Sequence, residues 1–111
     1  MVNGRIPGAR NVKRVPVQAS SSGDNTLLSA LTGRKIRVLA FYGSCAGTVN
    51  AKFQSDASGT DLTGLLYGVA NSGIVLPYND RGWFETQAGQ LLNLNLSAAV
   101  AVGGTLVYEV I

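Results

Sequence analysis

Apolar and polar residues alternate along four segments of the chain, and a period of two residues is typical of a strand with one buried face. The clearest segment is LLNLNLS at 91–97, where leucines alternate with asparagines. The same period runs through RKIRVLAFYG at 34–43, TVNAKFQS at 48–55 and GGTLVYEVI at 103–111. We therefore predict a strand over each segment. In RKIRVLAFYG, the residues predicted to share the core face are Ile36, Val38 and Ala40.

Three shorter apolar segments lie between turn-forming residues: LLYGVA at 65–70, IVLP at 74–77 and GWFET at 82–86. The segment TLLSALTG at 26–33 is compatible with one helical turn or with a short buried strand. No segment has helical periodicity over the length of a typical helix. About seven or eight short strands, spaced by roughly 8–12 residues, predict an all-β fold. The expected architecture is an antiparallel β-sandwich, with a jelly roll as the leading topology.

Residues 1–25 show neither a helical nor a sustained two-residue period, and they contain Pro7, Pro16 and a run of serines. A segment without an apolar face cannot bury itself. We therefore predict an extended N-terminal arm over residues 1–25 that depends on a neighbouring molecule, followed by the sandwich body over residues 26–111.

Charge is distributed unevenly along the chain. Residues 1–37 hold seven basic side chains and one acidic one, whereas the remainder holds two basic and five acidic ones. The arm is expected to lie along an acidic protein surface and to add main-chain hydrogen bonds at a sheet edge. Nucleic acid is the weaker alternative, because the arm has no aromatic residue for base stacking. The residues predicted to bind the partner are Arg5, Arg10, Val12, Lys13, Arg14, Val15 and Val17.

Charged residues make up only 14% of the 111 residues, against about 25% in an average soluble domain. This composition suggests a protein that hides surface against partners. The chain has no His and a single cysteine, Cys45. Histidine-dependent catalysis and an internal disulfide are therefore excluded. We expect no enzymatic activity and no cofactor or metal. We also expect no membrane span, because no apolar run approaches about 20 residues. We expect no signal peptide, because no apolar h-region follows Arg5 and Arg10.

The segment PYNDRGWFET at 77–86 is open to three interpretations. Asp80 and Glu85 could form a hydrolytic carboxylate pair, which needs a fixed separation and a substrate cleft. Tyr78 and Trp83 could stack on a sugar, or could mediate self-association. The interpretation we favour is structural: a turn ending in Gly82, in which Asp80 caps backbone donors, leads into a short strand. Trp83 and Phe84 would then point to opposite sides of that strand.

Several motifs resemble small β-structured virion proteins of tailed bacteriophages. They are Lys-Ile-Arg-Val at 35–38, Gly-Ile-Val-Leu-Pro-Tyr at 73–78, Gly-Trp-Phe-Glu-Thr at 82–86 and Leu-Asn-Leu-Asn-Leu-Ser at 92–97 followed by a strand containing Tyr108. The resemblance covers residues 33–110 and leaves the arm out.

This resemblance implies a capsid decoration, or cement, protein. Such proteins are commonly jelly rolls, often trimers, and they sit on the outside of the shell and reinforce it. The implied partner is the major capsid protein, the implied location is the capsid exterior after assembly in the host cytoplasm, and no catalytic residue is implied. The alternative is a tail or fibre module that recognises a carbohydrate or receptor through Tyr78 and Trp83.

Overall fold

The structure of the protein is a computed structural model, and it describes residues 11–111. Those residues form ten strands and contain no helix. The strands are β1 (Val12–Ala19), β2 (Gly23–Leu28), β3 (Ile36–Cys45), β4 (Val49–Ser55), β5 (Thr60–Asp61), β6 (Leu66–Gly68), β7 (Gly73–Leu76), β8 (Phe84–Glu85), β9 (Leu92–Leu96) and β10 (Val102–Val110).

The strands form two antiparallel sheets. Sheet A has the order β1-β10-β3-β7, and β8 also pairs with β3. Sheet B has the order β2-β9-β4-β5, and β6 also pairs with β4. The prediction of an all-β antiparallel sandwich is therefore confirmed.

The core lies between the sheets and is built from the residues that alternate in sequence. The leucines of β9 are at most 1% exposed. Three phenylalanines connect the sheets at the centre, because the Phe53 ring lies 5.5 Å from that of Phe41 and 5.1 Å from that of Phe84. Burial of these side chains is the main source of stability in a domain of this size.

A β-bulge changes the alternation within β3. Val107 pairs with Ala40, but the next residue of β10, Tyr108, pairs with Val38, so Leu39 is an extra residue. Because of the extra residue, the next β3 side chain after Val38 that faces the core is Phe41 and not Ala40. The prediction that Ala40 shares the core face of Ile36 and Val38 is therefore wrong beyond the bulge, although Ala40 is itself buried.

The described part of the predicted arm belongs to the sandwich. β1 pairs with β10 over eight residue pairs, and β2 pairs with β9. Val17 and Ala19 are each 2% exposed in the core. The boundary at residue 25 is therefore corrected, and residues 1–10 of the predicted arm lie outside the described residues. Pro16 is compatible with β1 because an edge strand leaves half of its N–H groups without a ladder partner.

Candidate interaction surface

Residues 77–83 connect β7 to β8 along one edge of β3. The Asn79 N–H donates to the carbonyl of Leu39 and the Trp83 N–H to that of Val38, each at 2.8 Å. β7 and β8 pair with β3 on either side of this connection. The connection therefore spans the β3 bulge, and its main-chain N–H groups pair with the carbonyls of Val38 and Leu39 there.

The predicted turn is present at Asn79–Gly82. The Gly82 N–H donates to the Asn79 carbonyl at 2.9 Å, and Gly82 has a φ of 84°. A glycine favours this left-handed conformation because it has no Cβ. The side-chain cap in the structure is the Asn79 Oδ1, which accepts the Arg81 N–H at 3.0 Å. The prediction that Asp80 provides the cap is therefore corrected to Asn79.

Trp83 and Phe84 point to opposite sides, as predicted. Phe84 packs against the core, and Trp83 remains 45% exposed. The indole N–H of Trp83 donates to the carbonyl of Pro77 at 2.8 Å. Because this polar group is satisfied within the loop, the surface that Trp83 offers to a partner is mainly the apolar part of its ring.

Tyr42 and Tyr78 lie beside this loop. The hydroxyl oxygen of Tyr42 accepts the Tyr78 N–H at 3.1 Å. Tyr42 pairs with Val75 of β7 and with Thr105 of β10, which places all three side chains on the outer face of sheet A. This face therefore carries exposed apolar side chains that are held in place by main-chain and side-chain hydrogen bonds.

Exposed apolar side chains continue around the edge of the sandwich onto β6. Tyr67 pairs with Asn50, so it lies on the outer face of sheet B, and it is 79% exposed. We define the edge patch as the large exposed apolar side chains of this edge: Tyr42, Leu65, Tyr67, Val69, Val75, Tyr78 and Trp83. Tyr78 and Trp83 are the two members of the edge patch that the sequence predicted as contact residues. Leu65, Val69 and Val75 were not predicted, since strand alternation alone does not say which sheet face is covered.

Glu85 belongs to an ion-pair group at the other end of β3. Its carboxylate lies 3.0 Å from Arg37 and 3.3 Å from Lys35, and Arg37 also lies 3.3 Å from Glu109. The Arg37 hydrogen bond is the main reason that the pKa of Glu85 lies below its ordinary range. A glycosidase proton donor needs a raised pKa. The geometry therefore supports a role for Glu85 in an ion pair and does not support a role as a proton donor.

The predicted partner-binding residues of β1 have different environments. Val17 is buried, and Val15 packs against the core. The prediction that Val15 and Val17 bind a partner is therefore corrected. Both contribute to the core, because β1 is a strand of the body. Val12, Lys13 and Arg14 are exposed. Arg5 and Arg10 lie outside the described residues.

A small cavity lies at the start of β1. Its volume is about 240 Å³. The residues that line it are Asn11, Lys13, Leu31, Arg34 and Val110. The Arg34 guanidinium donates to the carbonyls of Val110 and Ile111, each at 3.3 Å. This corner of the molecule therefore carries positive charge next to apolar side chains.

The outer face of sheet B carries a connected polar network. The Ser58 hydroxyl donates to Asp24 at 2.6 Å, and the Asn93 amide donates to Asp24 at 2.8 Å and to Gln54 at 2.9 Å. Gln54 in turn donates to Asp61 at 2.9 Å. The Ser58 hydroxyl lowers the pKa of Asp24, and the Gln54 amide lowers that of Asp61. Both carboxylates therefore stay ionised to a lower pH than an aspartate without these hydrogen bonds.

Cys45 is a buried free thiol at the end of β3. A Cβ at Gly68 would lie 2.6 Å from its sulfur, so the thiol packs closely against β6. Within the described range, no group of three His, Cys, Asp or Glu side chains could hold a metal ion. No helix in residues 11–111 is long and apolar enough to span a membrane.

No model of a known protein family matches the chain, and a search of curated proteins finds no match.

Proposed function

We propose that this protein is a structural component of a tailed-bacteriophage virion that binds the outside of the capsid, reinforces the shell and self-associates as a trimer. The observation that carries this proposal is the edge patch. It presents four aromatic and three aliphatic side chains to solvent. Exposed apolar clusters of this kind mark surfaces that bind other proteins. The sequence motifs supply the assignment to phage virions.

The strand order supports a jelly-roll topology for this sandwich. A jelly roll pairs two sheets of four main strands built from two Greek keys. Sheet A contains β1-β10-β3-β7, and β2-β9-β4 with β6 on β4 make up the corresponding part of sheet B. The first and last strands pair, and the chain alternates between sheets along most of its length. This arrangement recurs in viral capsid proteins.

The exposed basic end of β1 is the proposed contact with the major capsid protein. Lys13 and Arg14 are exposed at the start of β1, and Arg5 and Arg10 precede them in sequence. Their positive charge suits acidic residues of a capsid subunit. The apolar contribution comes from Val12, because Val15 and Val17 pack within this chain.

Co-sedimentation with purified capsids of the parent phage tests the proposal. We expect the full chain to pellet with capsids and a chain lacking residues 1–10 and carrying Lys13→Glu and Arg14→Glu to remain in the supernatant. The control is Arg81→Glu, a charge reversal at the opposite edge of sheet A, which should still pellet. Wild-type protein that stays in the supernatant at saturating capsid concentrations would refute capsid binding.

A carbohydrate-binding module of a tail or fibre is the second candidate. It is favoured by the exposed rings of Tyr78 and Trp83 in one loop, since aromatic faces are common sugar platforms. A glycan array distinguishes the two candidates. Specific glycan binding that is lost in Trp83→Ala would support carbohydrate recognition in place of capsid reinforcement.

A further inference from the structure

We propose that copies of this chain associate head to tail through the edge patch. In this arrangement the sheet A half of one copy (Tyr42, Val75, Tyr78 and Trp83) packs against the sheet B half of the next (Leu65, Tyr67 and Val69). The inference rests on the self-association included in the proposed function and specifies how the copies pair.

The two halves lie on either side of one edge of the sandwich. Tyr42 and Val75 are cross-strand partners on the outer face of sheet A, and Tyr67 lies on the outer face of sheet B. β6 and β7 follow each other in the chain and contact one another where the sheets meet. In a closed ring of head-to-tail contacts, the sheet A half of each copy packs against the sheet B half of the next. Both halves are then covered in every copy.

Charge complementarity favours a second copy of this chain as the occupant. The described strands of sheet A, together with the connection at 77–83 between β7 and β8, hold four basic and three acidic side chains, a net charge of +1. The strands of sheet B, together with the connection between β4 and β5, hold Lys52 against Asp24, Asp56 and Asp61, a net charge of −2. Pairing sheet A of one copy with sheet B of the next brings opposite charges together. Pairing two sheet A faces brings like charges together, which is unfavourable.

The sheet A half is held in place before it meets a partner. The Tyr42 hydroxyl accepts the main-chain N–H of Tyr78, and the Trp83 indole donates to Pro77. Side chains that are already fixed lose less conformational entropy on binding. Tyrosine and tryptophan are also the residues most enriched at the energetic centres of protein interfaces.

Two complementary variants test the arrangement. Val75→Lys disrupts the sheet A half, and Tyr67→Asp disrupts the sheet B half, each with the charge sign of its own sheet. By size exclusion with light scattering, we expect wild type to form an oligomer and each variant alone to have the mass of the 11.5 kDa monomer. An equimolar mixture should form a heterodimer, because one copy keeps an intact sheet A half and the other an intact sheet B half.

The control is Leu31→Lys, an exposed apolar residue outside both halves, which should keep the wild-type mass. Circular dichroism checks that each variant is folded. If either variant is unfolded, Tyr78→Ser replaces Val75→Lys and Leu65→Ser replaces Tyr67→Asp. The inference is overturned by a folded single variant that keeps the oligomer, by a mixture that stays monomeric, or by wild type that is monomeric up to about 100 µM, a concentration that covers micromolar affinities.

Failure of this inference and failure of the proposed function give different results. Self-association is measured on the purified chain alone, and capsid binding is measured by co-sedimentation. A folded single variant that keeps the oligomer, or a mixture that stays monomeric, contradicts only the head-to-tail arrangement. A monomeric wild type that pellets with capsids contradicts self-association and leaves the capsid role standing. An oligomer that passes the mixing test but does not pellet contradicts only the capsid role.

Discussion

Trp83, Phe84 and Glu85 are consecutive in the chain, yet they occupy three different environments. Trp83 is exposed in the edge patch, Phe84 packs against Phe53 in the core, and Glu85 pairs with Arg37. The alternation of a strand separates Phe84 from its two neighbours. The ion pair at Glu85 is therefore a feature of the outer face, where its contribution to stability depends on pH.

We expect Glu85→Gln to lower the free energy of unfolding by about 0.2–1 kcal/mol at pH 7, the range of a partly exposed ion pair. The pKa of Glu85 in the folded state is lowered from its ordinary value of 4.5, chiefly by its hydrogen bond with Arg37. The contribution of Glu85 is thus present above about pH 4.5 and is lost as the pH falls through the folded-state pKa. Urea unfolding of both proteins from pH 7 to pH 3 measures the difference.

The control for this prediction is a double-mutant cycle with Arg37→Met, which keeps an unbranched apolar side chain and removes the guanidinium charge. In that background, Glu85→Gln should have a smaller effect at pH 7. An effect of Glu85→Gln that is equally large at pH 3 and pH 7 would contradict the electrostatic explanation.

At the level of the strands, β1 is expected to contribute to the stability of the sandwich through its core-facing side chains. We expect Val17→Ala to reduce stability by about 1–3 kcal/mol, because it leaves a cavity in the core. Val12→Ala in the same strand should change stability by no more than about 0.5 kcal/mol, because Val12 is 41% exposed. Thermal and urea unfolding of the two variants measure this. Equal effects would contradict the placement of β1 in the core sheet.

The contact between β10 and β3 leaves no room for a side chain at Gly104. A Cβ there would overlap the main-chain carbonyl of Tyr42, which cannot move without separating the two strands. We expect Gly104→Ala to reduce stability by about 1–3 kcal/mol. Gly64→Ala is the matched control, since its Cβ would meet nothing within 4 Å, and it should be nearly neutral. Urea unfolding compares the two variants, and similar effects would refute the close approach.

The strands β4 and β9 were predictable from sequence because each has one buried face and an unbroken two-residue period. β1 was missed, since Pro16 and exposed Lys13 and Arg14 obscure the alternation of Val15, Val17 and Ala19. The bulge at Leu39 was also missed, because it appears only when β3 is paired with β10. Local pattern therefore predicts strands better than it predicts register.

The candidate surface was predictable only in part for a related reason. Tyr78 and Trp83 stand out in sequence as aromatic residues next to a turn. Val75 and Tyr67 have the same apolar character as core residues, and only the pairing of β7 with β3 and of β6 with β4 shows that they face outward. Side-chain direction in short edge strands is set by tertiary pairing, which local propensity does not contain.

At the scale of the whole molecule, the two outer faces differ in chemistry. Sheet B satisfies its polar side chains within the network of Asp24, Asn93, Gln54 and Asp61. Sheet A exposes aromatic side chains and carries an excess of basic residues. A molecule with one face of net positive charge and one of net negative charge has a built-in direction, which suits head-to-tail association better than symmetric pairing.

This difference predicts the effect of salt on self-association. Raising NaCl from about 50 mM to 500 mM shortens the screening length to a few ångströms and weakens attraction between sheet A of one copy and sheet B of the next. We expect the apparent Kd, measured by sedimentation velocity, to rise severalfold without loss of the oligomer, because the apolar contacts remain. Symmetric pairing of two sheet A faces gives the opposite sign, since screening relieves repulsion between two faces of net positive charge. A Kd that falls as salt rises would therefore exclude the head-to-tail arrangement.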